Sequence, residues 1–139
     1  MNSLVKITMI FLAIAPLTAP AEYRSPESVE GAITISAEEA KDMYDQGVKF
    51  IDVRNPRLYA RKHIPGAHHL DLKYVFSEET LDEVAARQEP IIIYCSGVKC
   101  SRSYRASEKA LSWGFEKVYY FRGGIVDWKN AGYPTEASN

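Results

Sequence analysis

From residue 33 onward, short apolar runs of strand type alternate with stretches in which apolar residues recur at helical spacing. Residues 33–35 are a short apolar run. Ser36, with Glu39 three positions on, is a capping box that predicts a helix start, because each side chain satisfies a free N–H of the first turn. Ala40, Met43 and Tyr44 then share one helical face, and Gly47 ends the element. Residues 49–53 (KFIDV) predict a second strand. Asn55-Pro56 places an N-cap residue before proline at the first helical position, so a short helix runs to about Lys62. Pro65-Gly66 turns the chain into a strand over residues 67–70. Ser77 caps a further helix with Glu78 and Glu79 in its first turn and Leu81, Val84 and Ala85 as its buried stripe.

Pro90 introduces Ile91, Ile92, Ile93 and Tyr94, a run apolar on both faces and therefore suited to the centre of a parallel sheet. A loop over residues 95–100 follows. Ser101 opens a helix in which Ala106, Ala110 and Trp113 share a face, Gly114 ends it, and residues 118–121 form the last strand. Gly123-Gly124, a turn device because glycine accepts positive φ, leads into a short helix carrying Trp128, and Gly132 and Pro134 close the pattern. The alternation predicts an α/β fold with a mostly parallel sheet covered by helices on both faces.

The start of the chain follows another rule. Lys6 precedes an apolar run over residues 7–15, Pro16 breaks it, and Ala19-Pro20-Ala21 puts small residues where a signal peptidase reads. The run is shorter than the ~20 residues that span a bilayer. Residues 1–21 therefore read as a signal peptide, 22–30 as a polar lead, and the mature protein as periplasmic or secreted, with no stable membrane association. Cleavage removes one lysine and no acid, taking the formal charge from −1 to −2. No basic excess recruits nucleic acid, and 139 residues with 46% apolar and 25% charged side chains suit one globular domain.

Two cysteines carry the candidate chemistry. Cys95 follows the most hydrophobic strand and precedes a helix, at the sheet edge where ligands of parallel sheets bind. Loop amides and a helix N-terminus there favour an anion, which suits a thiolate or a persulfide, and Lys99 and Arg102 add positive charge. Inert burial is the alternative, stronger for Cys100 than for Cys95.

The segment IIIYCSGVKCSRSYRAS resembles the active-site strand, loop and helix of the rhodanese family. FIDVRNPRLYARKHIPGAHHL resembles its upstream signature, and GFEKVYYFRGGIVDWKNAGYP its C-terminal one. The resemblance implies a rhodanese-like three-layer sandwich with a five-stranded parallel sheet flanked by helices, over residues 31–135, followed by a tail over 136–139. It implies a sulfurtransferase that needs no cofactor and no metal. Cys95 takes sulfur from thiosulfate or polysulfide as a persulfide and passes it to cyanide, a small thiol or a protein thiol. Ser96, Gly97, Val98, Lys99, Cys100 and Ser101 would cradle that sulfur, with Arg102 at the loop's end. The alternatives are a carrier without turnover and a redox sensor using Cys95 and Cys100. Cys100 stands where relatives often have arginine or another polar residue. It either fills space or traps Cys95 as a disulfide, making transfer dependent on a reductant. A phosphatase of the Cys-x5-Arg type is disfavoured, since Ser101 occupies the arginine position and Arg102 lies one further on.

Three supporting residues remain. Arg54, at the strand end with Asp52, either helps to hold substrate or pairs with Asp52 to fix the loop of His63, and the pairing is preferred. His63, His68 and His69 match no strong zinc spacing, so a structural role is expected for His63 and a surface position for at least one of the others. Lys99 reads equally as a magnet for an anionic donor or as a solvated surface lysine. Tyr119, Tyr120, Phe121 and Trp128 read as core and strand residues.

Overall fold

The computed structural model describes residues 9–138. Residues 9–26 form no helix or strand, and Met9, Ile10, Phe11, Leu12, Ile14 and Leu17 are exposed, so the described part of the apolar run adds nothing to the core. The first eight residues of the expected leader, Lys6 included, lie outside the described residues.

The elements then alternate: β1 (Ile33–Thr34), α1 (Ala37–Asp45), β2 (Lys49–Asp52), α2 (Pro56–Arg61), β3 (His68–His69), α3 (Glu78–Val84), β4 (Pro90–Tyr94), α4 (Arg102–Ser112), β5 (Lys117–Phe121) and α5 (Gly124–Asn130). Local chemistry sets the helix starts. Glu39 N–H donates to Ser36 Oγ (3.1 Å) while Ser36 N–H donates to Glu39 Oε2 (2.7 Å), closing the capping box of α1. Leu58 N–H donates to Asn55 Oδ1 (2.9 Å) ahead of α2. Ser77 forms a second box with Thr80 at α3. Ser101 precedes α4 without a side-chain cap.

The sheet has five strands in the order β1-β5-β4-β2-β3, with every pairing parallel. The apolar run on both faces explains why β4 is central: Ile91 and Ile93 pack with Leu81, Ala106 and Ala110 on the α3/α4 face, and Ile92 and Tyr94 pack with Ala40 and Trp128 on the α1/α5 face. Three strands are shorter than the sequence implies. β2 ends at Asp52, although Val53 N–H still donates to Tyr94 O (3.2 Å). Ala67 N–H closes a turn to Ile64 O (3.0 Å) and so cannot join the ladder, which leaves β3 two residues long. β1 stops at Thr34, although Ile35 N–H still donates to Tyr120 O (3.1 Å).

The chain leaves β2 toward β3 on one side and leaves β4 toward β5 on the other. The β2/β4 boundary is therefore the switch point of the sheet, where loops diverge and a crevice opens. Asp52 and Tyr94 are register partners there, which sets the chain after β2 beside the Cys95 loop.

Candidate active site

Cys95 is the first residue past β4, and its side chain points to the α4 face. It is 1% exposed and packs with Val53, Leu70 and Ala106. The loop then turns back on itself. Cys100 N–H donates to Gly97 O (3.0 Å), closing a turn that brings the Cα of Cys100 to 6.3 Å from that of Cys95. A disulfide joins the two, and neither cysteine is free. The accessible thiolate expected at Cys95 is not the form the structure holds: Cys95 Sγ is bonded to Cys100 Sγ.

The peptide orientations of the loop have identifiable causes. Ile125 N–H donates to Cys95 O (3.1 Å) and Val126 N–H to Ser96 O (3.0 Å), so the first turn of α5 takes two loop carbonyls. Ser25 N–H (2.7 Å) and Ser25 Oγ–H (3.0 Å) both donate to Val98 O. In a trans peptide the N–H points opposite to the C=O. With these carbonyls held outward, the N–H groups of Ser96, Gly97 and Lys99 face away from α5 and Ser25, and they donate to no protein acceptor among the described residues. They remain available to an anion. Gly124 makes the docking possible. Its φ is +56°, and a Cβ there would collide with the Cys95 carbonyl.

A cavity of about 580 Å³ opens beside the loop, between residues 96–100 and Gly123, Val126 and Asp127. Cys100 contributes to its wall and Cys95 does not. Lys99, at the rim, pairs with Glu22 (2.6 Å), both side chains well exposed, and Asp127 adds a carboxylate across from it. A second cavity, of about 330 Å³, lies past Ser96 and includes Arg54, Arg61, Lys62 and Lys129 in its wall.

Arg102 turns away from the sulfur. Its Nη1 donates to Asp71 Oδ1 (2.5 Å) and to Val53 O (3.2 Å), tying the start of α4 to the chain after β2. Nη1 is therefore engaged with the chain after β2 and β3. Arg54 is also engaged. At 4% exposure it donates through Nε and Nη2 to Asp52 (2.6 Å at the closest) and through Nη2 to Lys62 O (2.7 Å), holding the segment that enters His63. Burial opposes the charge of Arg54, and the Asp52 carboxylate overrides it, raising its pKa. Burial, reinforced by Asp52, holds the Tyr94 phenol well above the usual tyrosine range, and Ile64 N–H donates to its oxygen (3.1 Å). His63 is buried. Its Nδ1–H donates to Tyr59 O (2.9 Å), and its Nε2 lies 3.0 Å from Glu136 Oε1. His69 stacks on Tyr59 and donates through Nε2–H to Arg54 O (2.8 Å), while His68 is exposed.

Ser25, Asp71, Gly124 and Asp127 join the site without having been singled out for it. Gly124 had a local signal in the Gly-Gly pair after the last strand. Ser25 and Asp71 had none, because their partners lie 73 and 31 residues away.

Comparison with known proteins agrees with this architecture. The Rhodanese-like domain model matches residues 36–131. A thiosulfate sulfurtransferase GlpE from Pseudomonas fluorescens is 32% identical over 104 residues, covering 75% of this chain and 90% of its own length. The protein of the same name from Pseudomonas paraeruginosa is 30% identical over 106 residues, covering 75% and 89%. The crystal structure of the Alr3790 protein from Anabaena superposes with a TM-score of 0.66 at 26% identity, over 75% of this chain and 92% of that one. The chain belongs to the rhodanese-like domain family.

Proposed function

We propose that this chain is a rhodanese-type sulfurtransferase that carries sulfane sulfur on Cys95. The observation that supports it most is the set of loop amides turned away from their engaged carbonyls, a fixed group of dipoles suited to an anionic sulfur. Opening the Cys95–Cys100 disulfide by an external thiol is the first requirement. The Cys95 thiolate then attacks the outer sulfur of a donor such as thiosulfate or polysulfide. The donor's S–S bond breaks, and sulfite or a shortened polysulfide leaves with the electron pair. A thiophilic acceptor removes the outer sulfur in a second displacement, returning the thiolate. The loop amides stabilise both anionic states. Relatives named thiosulfate sulfurtransferase support the class of reaction.

The donor is less determined by the charge around the cavity. Lys99 pairs with Glu22 and Asp127 lines the same space, whereas Arg54, Arg61, Lys62 and Lys129 wall the cavity past Ser96, so charge alone does not select the donor. A carrier that hands sulfur to a partner thiol without fast turnover on thiosulfate uses the same site.

Export fits the same reading. The exposed, unpacked residues 9–24 end just before Ser25, the first buried residue among those described, and cleavage after Ala21 leaves Ser25 in place. N-terminal sequencing of the exported protein is expected to begin at Glu22; a retained leader would count against secretion.

The test of the site is intact-mass measurement of reduced protein exposed to thiosulfate or polysulfide. The Cys100→Ser variant is expected to gain one sulfur atom and the Cys95→Ser variant none. Equal loading of both variants would overturn the assignment of Cys95.

A further inference from the structure

We propose that Cys100 resolves the Cys95 persulfide from within, expelling the carried sulfur as hydrosulfide, so that the loop acts as a persulfide reductase reset by a dithiol protein. This rests on the reading that Cys95 is the residue that loads sulfur.

The geometry supports the step from both ends of the loop. Cys95 is fixed by β4 and by the Ile125 bond to its carbonyl, and Cys100 by the 97–100 turn and by α4, which begins two residues later. Their Cα separation of 6.3 Å lies inside the range that a disulfide bridges without backbone movement. No diffusional encounter is needed between the two sulfurs, and such a pre-positioned nucleophile has a high effective concentration. An outside acceptor, by contrast, has to diffuse in through the cavity that Cys100 walls.

The electron balance closes with no external oxidant. The Cys100 thiolate attacks Cys95 Sγ, the inner sulfur of the persulfide. The bond between Cys95 Sγ and the outer sulfur breaks, and that sulfur leaves with the electron pair as hydrosulfide, carrying the proton that Cys100 gave up. The two cysteine sulfurs are oxidised together by two electrons, and the sulfane sulfur is reduced to sulfide. The product on the protein is the Cys95–Cys100 disulfide present in the structure.

Reset has a direction as well. A reductant's thiolate reaches the disulfide from the cavity, and therefore at Cys100. Cys95 is then the leaving sulfur, stabilised as an anion by the loop amides. A stabilised thiolate leaves faster. The mixed disulfide forms on Cys100, the partner's second thiol releases it, and Cys95 is freed ready to load. The partner is accordingly a dithiol protein with a protruding attacking cysteine, able to lie against the apolar wall made by Val98 and Val126.

The experiment uses the reduced, desalted protein under anaerobic conditions, with thiosulfate and polysulfide as separate donors. It reads protein mass, and with thiosulfate it also reads free sulfide. Wild type is expected to lose two hydrogens and to release one sulfide per chain from thiosulfate. Cys100→Ser is expected to gain one sulfur atom, keep it, and release no sulfide. Cys95→Ser is expected to do neither. A Cys100→Ser protein that takes up no sulfur from either donor would refute the loading role of Cys95. A Cys100→Ser protein that loads, beside a wild type that holds its persulfide with Cys100 still reduced, would refute internal resolution alone. Sulfur retained on Cys100 in the Cys95→Ser protein would reverse the assigned roles and overturn the proposal.

Discussion

At the scale of single residues, the polar groups beneath the site are buried and paired, so removing one partner costs more than the pair contributes. Asp52 is fully buried, and Arg54 supplies its charge partner. Arg54→Ala leaves that carboxylate uncompensated and is expected to cost about 3–5 kcal/mol of unfolding free energy. Arg102→Ala leaves Asp71, 1% exposed, with the Lys73 N–H (3.2 Å) in place of a charge, and a loss of about 3 kcal/mol is expected on the same grounds. Chemical denaturation of the reduced proteins checks both. A loss under about 1 kcal/mol, the level of an exposed pair, would show that water reaches these carboxylates. Tyr94 adds a pH signature. Its phenol is held above the ordinary value in the folded state, so the unfolded chain releases that proton first. Its contribution is intact below about pH 10 and erodes as pH rises past that toward the folded value, by up to about 1.4 kcal/mol per pH unit. Tyr94→Phe is expected to remove that part of the alkaline slope, measured as the difference between the two proteins' stability curves. At this scale the placement of Cys95 and the pairing of Asp52 with Arg54 were legible because each sits next to a strand end. Asp71 was not, since nothing near it in sequence reveals a guanidinium supplied by α4.

At the scale of elements, helix starts were the most legible features, because a cap is a contact over three residues: Ser36 with Glu39, Asn55 with Leu58, Ser77 with Thr80. Strand ends were less so, because the turn at Ala67 competes for an N–H that the apolar pattern alone gives to the sheet. The contact between α5 and the Cys95 loop lay beyond sequence reading altogether. It joins two segments about thirty residues apart through backbone atoms, and backbone carries no side-chain signature; only the glycine it demands is visible. Gly124→Ala tests that contact. The new Cβ meets the Cys95 carbonyl carbon and oxygen at a positive φ, so either α5 or the loop has to move. A stability loss of at least about 1–3 kcal/mol is expected. Sulfur loading on Cys95 in the Cys100→Ser background should fall with it, because the Cys95–Ser96 and Ser96–Gly97 peptides lose the partners that orient them. Unchanged loading in a destabilised protein would show that the amides do not need α5 to hold their direction.

At the scale of the whole molecule, the lead between the proposed cleavage point and the sheet acts as a strap across the site. Ser25 holds Val98 O, Arg122 Nε and Nη2 donate to Ser25 O (3.2 and 2.7 Å), and Tyr120 Oη–H donates to Pro26 O (3.0 Å). The strap thus links β5 to the active-site turn, and it starts four residues after Ala21. The sequence marked this stretch only as polar, because its partners lie far along the chain. Glu22 to Lys99 is an exposed pair and adds little, so the anchoring rests on Ser25. A protein beginning at Glu22 is expected to match the full chain in stability. One beginning at Glu27 frees the Val98 carbonyl and leaves the Arg122 guanidinium without Ser25 O, at about 1–3 kcal/mol for the lost bonds. The 97–100 turn should loosen as well. In the reduced state, alkylation of Cys95 by a small iodoacetamide reagent is then expected to be faster in the shorter protein, since a looser turn exposes a side chain that is 1% exposed with the turn in place. Equal alkylation rates in the two proteins would mean that Cys95 is shielded by the turn alone.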